Sequence, residues 1–180
     1  MANLNDERIL SITTGACLVD GTDAAFRCLV NGLLPFAVRL QSVRDGFGSL
    51  IGLTGIQYSL LISIAHFSSD GAVTADRLAD QLHLSVGYVT VETDKLKKYG
   101  LVEKQRRPED RRRTLLTITS AGSRLLRGLA RRQQDINNVL FEGVTSAEFK
   151  VLCSLVDRLV INGDRATLNL NQYLADLGTI

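Results

Sequence analysis

One stretch, residues 74–119, restricts the possible folds more than any other part of the chain. Thr74 and Ser85 are N-cap residues ahead of two short segments whose apolar side chains have helical spacing, so the stretch begins with two helices joined by a turn. Strands are predicted at residues 101–106 and 114–118, because the first segment alternates and the second is rich in β-branched side chains. Two helices followed by a two-stranded hairpin predict a winged helix-turn-helix.

The second of these helices, which runs from Val86 to about Lys98, has two different faces. One stripe, at i, i+3, i+7 and i+10, is predicted to be buried and consists of Val86, Val89, Thr93 and Leu96. The opposite stripe is predicted to be exposed and consists of Tyr88, Val91, Lys95 and Lys98. Lysine can reach phosphate or guanine, and valine can contact a thymine methyl group. The exposed face therefore suits a DNA major groove, with Tyr88 and Lys95 predicted to read the sequence.

Basic residues are concentrated between Lys95 and Arg113. This segment has nine basic and three acidic residues, a net charge of +6, whereas the whole chain has a net charge of +2. The rest of the chain is therefore acidic, and the positive field is focused on one edge. A solvated run of charges is the simpler alternative, but the charges coincide with a helix-turn-helix pattern, which favours nucleic-acid binding.

A set of residues in order between Leu53 and Gly122 carries a specific resemblance. The set comprises Leu53, Thr54, Gln57, Leu78, Ala79, Ser85, Val89, Thr90, Asp94, Leu96, Gly100, Leu101, Val102, Asp110, Arg111, Arg112, Leu116, Thr117, Thr119 and Gly122. This pattern resembles the MarR family of bacterial transcriptional regulators. The family often has arginine where this chain has Val91, so base readout at that step is expected to be less polar than usual.

The resemblance and the helix faces together imply DNA contacts from the second helix and from the hairpin tip. The predicted DNA-binding residues are Ser85, Gly87, Tyr88, Thr90, Val91, Lys95, Lys98, Arg107, Arg111, Arg112 and Arg113. The matching aspartate in the family pairs with the second arginine of the Asp-Arg-Arg motif, so Asp94 is predicted to pair with Arg112 and fix the angle of the wing. Asp110 is predicted to hold the turn through its own backbone. Arg111 or Arg113 would then be free to enter the minor groove.

Several predicted helices precede the winged helix. The first ends at Asn31-Gly32, and a second begins at Pro35, since proline is tolerated in a first turn. The segment Asp45-Gly46-Phe47-Gly48 is expected to interrupt the helical pattern. Thr54 and Gln57 then have the spacing of a capping box ahead of an apolar, buried helix.

Further helices are predicted after residue 119. One runs to about Phe141, and Thr145 and Glu148 form a second capping box for the next. That helix is expected to end at Asn162-Gly163, with a separate helical piece over residues 168–177.

The flanking helices are too apolar to stand free beside a winged helix. The sequence therefore predicts a mainly α fold, of α+β winged-helix type, with a helical dimerisation domain built from both chain ends. The predicted regions are 1–51 for the amino-terminal arm and dimerisation helices, 52–120 for the DNA-binding domain, and 121–180 for the carboxy-terminal dimerisation helices. A homodimer would present two second helices about one turn of duplex DNA apart.

Composition excludes several other classes of protein. No apolar run reaches membrane-spanning length and the amino terminus does not resemble a signal peptide, so a cytoplasmic protein without membrane partners is expected. The three cysteines, Cys17, Cys28 and Cys153, form no CxxC motif, and His66 and His83 lack ligand spacing. No metal or other cofactor is therefore expected. Without a nucleophile elbow or phosphate loop, an enzyme is not expected either.

The resemblance also implies a small-molecule effector, often an aromatic or phenolic acid, in a pocket between the dimer helices and the winged helix. By position, the candidates to line this pocket are Phe36, Arg39, Arg44, Tyr58 and His66. An arginine there could bind a carboxylate through two hydrogen bonds.

Two alternatives remain open. One is a regulator of the same fold that senses oxidants through a cysteine such as Cys28, although a cysteine in an early helix is expected simply to pack. The other is a winged helix used only for protein contacts.

Overall fold

The computed structural model describes residues 9–68, 71–106 and 114–178. It contains six α-helices and three β-strands within those ranges: α1 (Ala24–Leu50), α2 (Gly55–Ser68), β1 (Val73–Thr74), α3 (Ala75–Leu82), α4 (Val86–Lys98), β2 (Val102–Arg106), β3 (Thr114–Ile118), α5 (Ser120–Leu140) and α6 (Ser146–Leu177). A short 3-10 helix, Gly15–Cys17, precedes α1. The chain divides into two compact units, with the boundary after Gln133.

The three strands form an antiparallel sheet in the order β1-β3-β2. In β3, Leu116 is opposite Val73 of β1 and Lys104 of β2, so the central strand pairs with both neighbours at this residue. With α2, α3 and α4 ahead of the hairpin, this arrangement confirms the predicted winged helix-turn-helix within a mainly helical chain.

The helix starts predicted from N-cap residues are confirmed. The hydroxyl of Thr74 accepts a hydrogen bond from the backbone N–H of Arg77 at the start of α3, and Ser85 accepts one from Tyr88 at the start of α4. Thr54 and Gln57 exchange two hydrogen bonds of 3.2 Å, each from the backbone N–H of one residue to the side chain of the other. These bonds satisfy N–H groups that the first turn of a helix leaves without partners. The second capping box, between Thr145 and Glu148, is also present.

Helix α2 lies at the centre of the core. Leu60, Leu61 and Ile64 are fully buried, and α1, α3, α4, β1 and β3 all contact this helix. Helix α2 is apolar on most of its faces, which is typical of a helix surrounded by other elements. The helix-turn-helix formed by α3 and α4 is therefore packed on a hydrophobic support.

Helix α1 corrects three predictions about the amino-terminal region. It continues without a break through Asn31-Gly32, through Pro35 and through residues 45–48. Glycine and proline weaken a helix interior by about 1 and 3 kcal/mol. Residues 31–35 are exposed, so packing within the described chain offsets that cost only at the end of α1. Phe47 is buried against Tyr58, with the ring centroids 5.7 Å apart, so the segment expected to interrupt the helix instead packs its end onto α2.

Helix α6 is one helix of 32 residues, not a helix and a separate piece. It passes through Asn162-Gly163, because an isolated glycine lowers helix stability by only about 1 kcal/mol and does not by itself end a helix. Its side chains are exposed throughout, including Phe149, Leu155 and Leu159.

Among the described residues, no single helix is both long and apolar enough to cross a membrane; α1 and α2 reach that length and composition only as a pair, bent by 85° where they meet.

The corner between α1 and α2 leaves no space for a side chain at Gly48. A Cβ atom there would lie 2.7 Å from the carbonyl oxygen of Thr54, whereas one at Gly46 would meet nothing within 4 Å. We expect Gly48→Ala to lower the free energy of unfolding by about 1–3 kcal/mol, because backbone must move. The matched change Gly46→Ala should raise it by about 0.5–1 kcal/mol through helix propensity. Urea denaturation at equal protein concentration measures both, and equal effects of the two changes would contradict the packed corner.

Candidate nucleic-acid interface

Helix α4 exposes the face that its sequence predicts. Tyr88 and Val91 are 44% and 53% exposed, and Lys95 and Lys98 are exposed along the same side. The buried stripe of Val89, Thr93 and Leu96 is fully inaccessible and packs into the core beside α2. Helix α4 thus presents an aromatic ring, a small apolar group and two lysines outward from a fixed base.

The remaining α4 candidates lie near its amino-terminal end and are exposed. The hydroxyl of Ser85 accepts the capping hydrogen bond from Tyr88, and the hydroxyl of Thr90 donates to the carbonyl of Val86 at 2.8 Å. Gly87 has open space around it, so a nucleic-acid backbone could approach closely there. These three positions are accessible as predicted, while their contacts with DNA stay a prediction.

Val86 does not belong to the buried stripe, because it is 43% exposed. It is the first residue of α4 and lies at the edge of the core, where less of the neighbouring structure covers it. The buried stripe instead includes Glu92, which is 5% exposed and lies at i+3 from Val89. The predicted stripe omits Glu92 because glutamate is usually exposed. Its helical spacing from Val89 and Leu96 places it on the buried side.

Glu92 connects α4 to the start of α2. One carboxylate oxygen accepts a hydrogen bond of 2.9 Å from the side-chain amide of Gln57, and the other lies 2.6 Å from the ammonium group of Lys95. The amide oxygen of Gln57 accepts from the backbone of Thr54, which leaves the NH2 group directed at Glu92. Three side chains thus form a continuous polar chain from a capping box to the exposed face of α4.

Hydrogen bonding between Glu92 and Lys95 stabilises the charged forms of both side chains. The hydrogen bond from Lys95 is the main cause that lowers the pKa of Glu92, against the effect of burial. The same bond is the main cause that raises the pKa of Lys95. Both groups are therefore ionised at neutral pH, and the positive charge of Lys95 faces a buried negative one.

A second ion pair joins α4 to the hairpin. The ammonium group of Lys104, in β2, lies 2.9 Å from a carboxylate oxygen of Asp94 and donates to the backbone carbonyl of Thr90 at 3.2 Å. The side chain of Lys104 is only 11% exposed, whereas that of Asp94 is 56% exposed. The hairpin is therefore attached to α4 through a largely enclosed lysine that the sequence did not single out.

The predicted partner of Asp94 and the other predicted residues of the turn lie outside the described part of the chain. These residues are Arg112 and Asp110, with Arg107, Arg111 and Arg113. The predicted pair of Asp94 with Arg112 stays a prediction, and among the described residues Asp94 forms an ion pair with Lys104.

A cleft of about 490 Å³ lies beside α2 and next to the turn between α3 and α4. Its lining residues are Gln41, Arg44, Ile56, Ser59, Ile62, Ser63, His66, Gln81, Leu82 and Leu84. Arg44 and His66, two of the predicted pocket residues, both line this cleft, while a ligand there stays a prediction. Tyr58 is buried behind Arg44, whose guanidinium lies 5.7 Å from the ring, while Phe36 and Arg39 are exposed on α1 and do not line the cleft.

The cysteines show no disulfide among the described residues. Cys17 is half-buried, and Cys28 and Cys153 are exposed. Cys28 is not covered by its own chain, because the first two thirds of α1 are exposed on almost every side, so the expectation that it packs stays a prediction. Within the described part of the chain, no cluster of three or more histidine, cysteine or acidic side chains could hold a metal ion.

Comparison with known proteins finds a family model that matches about a third of the chain. The model of the MarR family matches residues 51–113, from the end of α1 to the hairpin tip. A curated protein of Bacillus subtilis strain 168, described as an uncharacterized HTH-type transcriptional regulator YcgE, is 31% identical over 88 residues. That match covers 49% of this chain and 57% of the relative, so the chain spans little more than half of the relative's length.

Solved structures of regulators share the fold. A MarR-family regulator of Listeria monocytogenes in complex with a 26mer DNA has a TM-score of 0.65 and 22% identity, covering 74% of this chain and 87% of that one. A point mutant of MarR from E. coli in complex with operator DNA has a TM-score of 0.60 and 23% identity, covering 73% of this chain and 92% of that one. At such identities these likenesses show the fold, and they agree with the winged helix described above.

Proposed function

We propose that this chain, whose residues 51–113 match the model of the MarR family, is a dimeric transcriptional regulator that binds a pseudo-palindromic operator and responds to a small ligand. The observation that carries the proposal is the exposed face of α4, where Tyr88, Val91 and two lysines stand on a buried stripe. An α-helix of this kind fits the major groove, where lysine and apolar groups read base edges. The family consists of transcriptional regulators and not of enzymes.

Exposed apolar side chains support the homodimer. Within α1, Leu29, Leu34 and Val38 are 58%, 64% and 67% exposed, and along α6 most of the large apolar residues are more than two fifths exposed. Monomeric proteins rarely leave apolar surface of this extent in water. A second copy would cover these helices and, through its two-fold axis, present a second α4. On this basis regions 1–51 and 121–180 serve dimerisation, and region 52–120 binds DNA in the cytoplasm.

The cleft beside α2 is the proposed effector site. Arg44 donates a hydrogen bond from Nε to Ser59 at 3.0 Å, and no carboxylate among the described residues pairs with its guanidinium. An acidic ligand could therefore bind the remaining guanidinium N–H groups. The cleft adjoins Leu82 and Leu84, which flank the turn before α4. A ligand there would therefore change the orientation of α4.

Lys104 supports a proposal for the wing. Strand β2 reaches α4 through a side chain that touches both Asp94 and Thr90, so the base of the hairpin is attached to the helix at two points. We infer that Asp94 orients the wing through Lys104, with Arg112 and Asp110 acting nearer the tip. The basic tip would then approach the minor groove at a defined angle.

Two measurements test the function directly. Sedimentation at micromolar concentration should give a dimer, because exposed apolar helices are covered by the second copy. Selection from a pool of random duplexes should return two half-sites about one helical turn apart. A monomer would refute the dimer, and a protein that retains no duplex would refute DNA binding and favour a winged helix used for protein contacts.

Tyr88 should contribute to sequence discrimination. We expect Tyr88→Ala to reduce the preference for the selected site over random duplex by about 1–3 kcal/mol, because the ring would contact bases. Fluorescence anisotropy with both duplexes at fixed salt measures the preference. Equal losses on the two duplexes would show that Tyr88 only positions the helix.

Asp94 provides the test of wing orientation. Asp94→Ala removes a negative charge near DNA, so simple electrostatics predicts tighter binding. If Asp94 orients the wing through Lys104, affinity for the selected duplex should instead fall by roughly 1 kcal/mol. Glu103→Gln is the matched control, since it removes the same charge from an exposed position of β2. Unchanged or tighter binding by Asp94→Ala would remove Asp94 from this role.

A further inference from the structure

Glu92 is an unusual residue for the helix that faces DNA. It and Asp23 are the buried acidic side chains of the described residues, and only Glu92 lies in the winged helix. A carboxylate on such a helix would repel phosphate if it were exposed. At 5% exposure Glu92 does not face the groove, and both of its oxygens have donors within the protein.

The donors to Glu92 are not equally replaceable. Gln57 is fixed by its exchange of hydrogen bonds with Thr54, so its NH2 group cannot turn elsewhere without breaking the capping box. Lys95, in contrast, is a flexible side chain that is 47% exposed and could swing outward. If it did, Glu92 would keep a neutral donor and lose the positive charge that compensates its burial.

This asymmetry makes the pair stronger than its exposed end suggests. An ion pair between two exposed side chains contributes little, because water solvates both partners equally well when they separate. If Lys95 moves away, the buried carboxylate of Glu92 loses its compensating charge, and a buried charge without its partner is costly. Lys95 is therefore held at Glu92 unless another contact compensates for its departure.

Lys98 provides the comparison on the same helix. It is exposed on the same face as Lys95, and no carboxylate of the described residues pairs with it. Its ammonium group can follow any phosphate without loss inside the protein. Two lysines of one helix face thus differ in whether their charge is available to DNA of arbitrary sequence.

We propose that Glu92 is a positioning residue that holds Lys95 away from the phosphates of non-specific DNA, so that Lys95 contacts DNA only where a specific site compensates for the pair. The proposal rests on the proposed DNA-binding function and deepens it. Glu92 would lower the affinity for random sequence and thereby raise discrimination, without itself touching DNA. Discrimination of this kind is a difference between two affinities, and weakening the unwanted one is as effective as strengthening the other.

The salt dependence of binding to a random-sequence duplex tests this role. Each phosphate that a lysine neutralises adds about 0.9 to the slope of log affinity against log salt concentration. Under the proposal, Glu92→Gln releases Lys95, so the slope should steepen by about one phosphate contact and affinity for random duplex should increase. Merely structural damage would weaken binding and would not add a phosphate contact.

A double-mutant cycle assigns the effect to Lys95. In the Lys95→Gln background, Glu92→Gln should leave the slope unchanged, because no lysine remains to be released. Glu103→Gln, which removes an equal charge without releasing a lysine, should not change the slope either. An unchanged slope in Glu92→Gln, or an equal steepening in the Lys95→Gln background, would overturn the proposal.

If Glu92→Gln shows no cooperative unfolding transition, that variant is not folded, and Lys95→Gln alone then tests the proposal. Glutamine at position 95 keeps a side-chain donor for Glu92, and urea denaturation establishes that this variant is folded. The proposal then expects the same slope as in the unchanged protein. A slope lower by about one phosphate contact would mean that Lys95 already contacts phosphate, and would overturn it. Failure of the unchanged protein to bind any duplex would instead refute the proposed function, so the two failures are distinguishable.

Discussion

Helix α2 is buried on most of its sides, and the rest of the winged helix is arranged around it. Leu60, Leu61 and Ile64 have no accessible surface, and the elements that cover them are the helix-turn-helix, the sheet and the end of α1. Burying three such side chains contributes on the order of 5–8 kcal/mol before the entropy cost of folding is subtracted. The exposed face of α4 is oriented by this core, since its opposite side is part of it.

Local signals in the sequence were sufficient for the parts of the fold that local chemistry decides. Thr54, Thr74, Ser85 and Thr145 each mark a helix start, because a side-chain oxygen there satisfies backbone N–H groups that no other residue reaches. Pro35 and the glycines of α1 and α6 misled for the opposite reason. Each of these residues weakens a helix by only about 1–3 kcal/mol, which is too little to predict that the helix ends there. Where α1 does end depends on tertiary contacts such as that of Phe47 with Tyr58, which the local sequence does not show.

The candidate site divides in the same way. Helical geometry alone separates Tyr88 and Val91 from Val89 and Leu96, and the structure agrees. The burial of Glu92 depends on its contact with Gln57, which is 35 residues away in the sequence. The burial of Lys104 depends on β2 packing beside α4. Such pairings follow from the tertiary arrangement, and charged residues are expected to be exposed until that arrangement is known.

The packed corner at Gly48 has a mechanical consequence. Helix α1 has 27 residues, so it is about 40 Å long, and its last turn packs against Leu53 and Thr54, directly ahead of α2. A rod of this length that pivots at one end by about 5° moves its other end by about 3–4 Å. A pivot at this corner would therefore displace the exposed start of α1 far more than the end that packs beside α2. The missing side chain at Gly48 lets two backbones touch directly, so the position of this pivot is set by main-chain contact and not by side-chain packing.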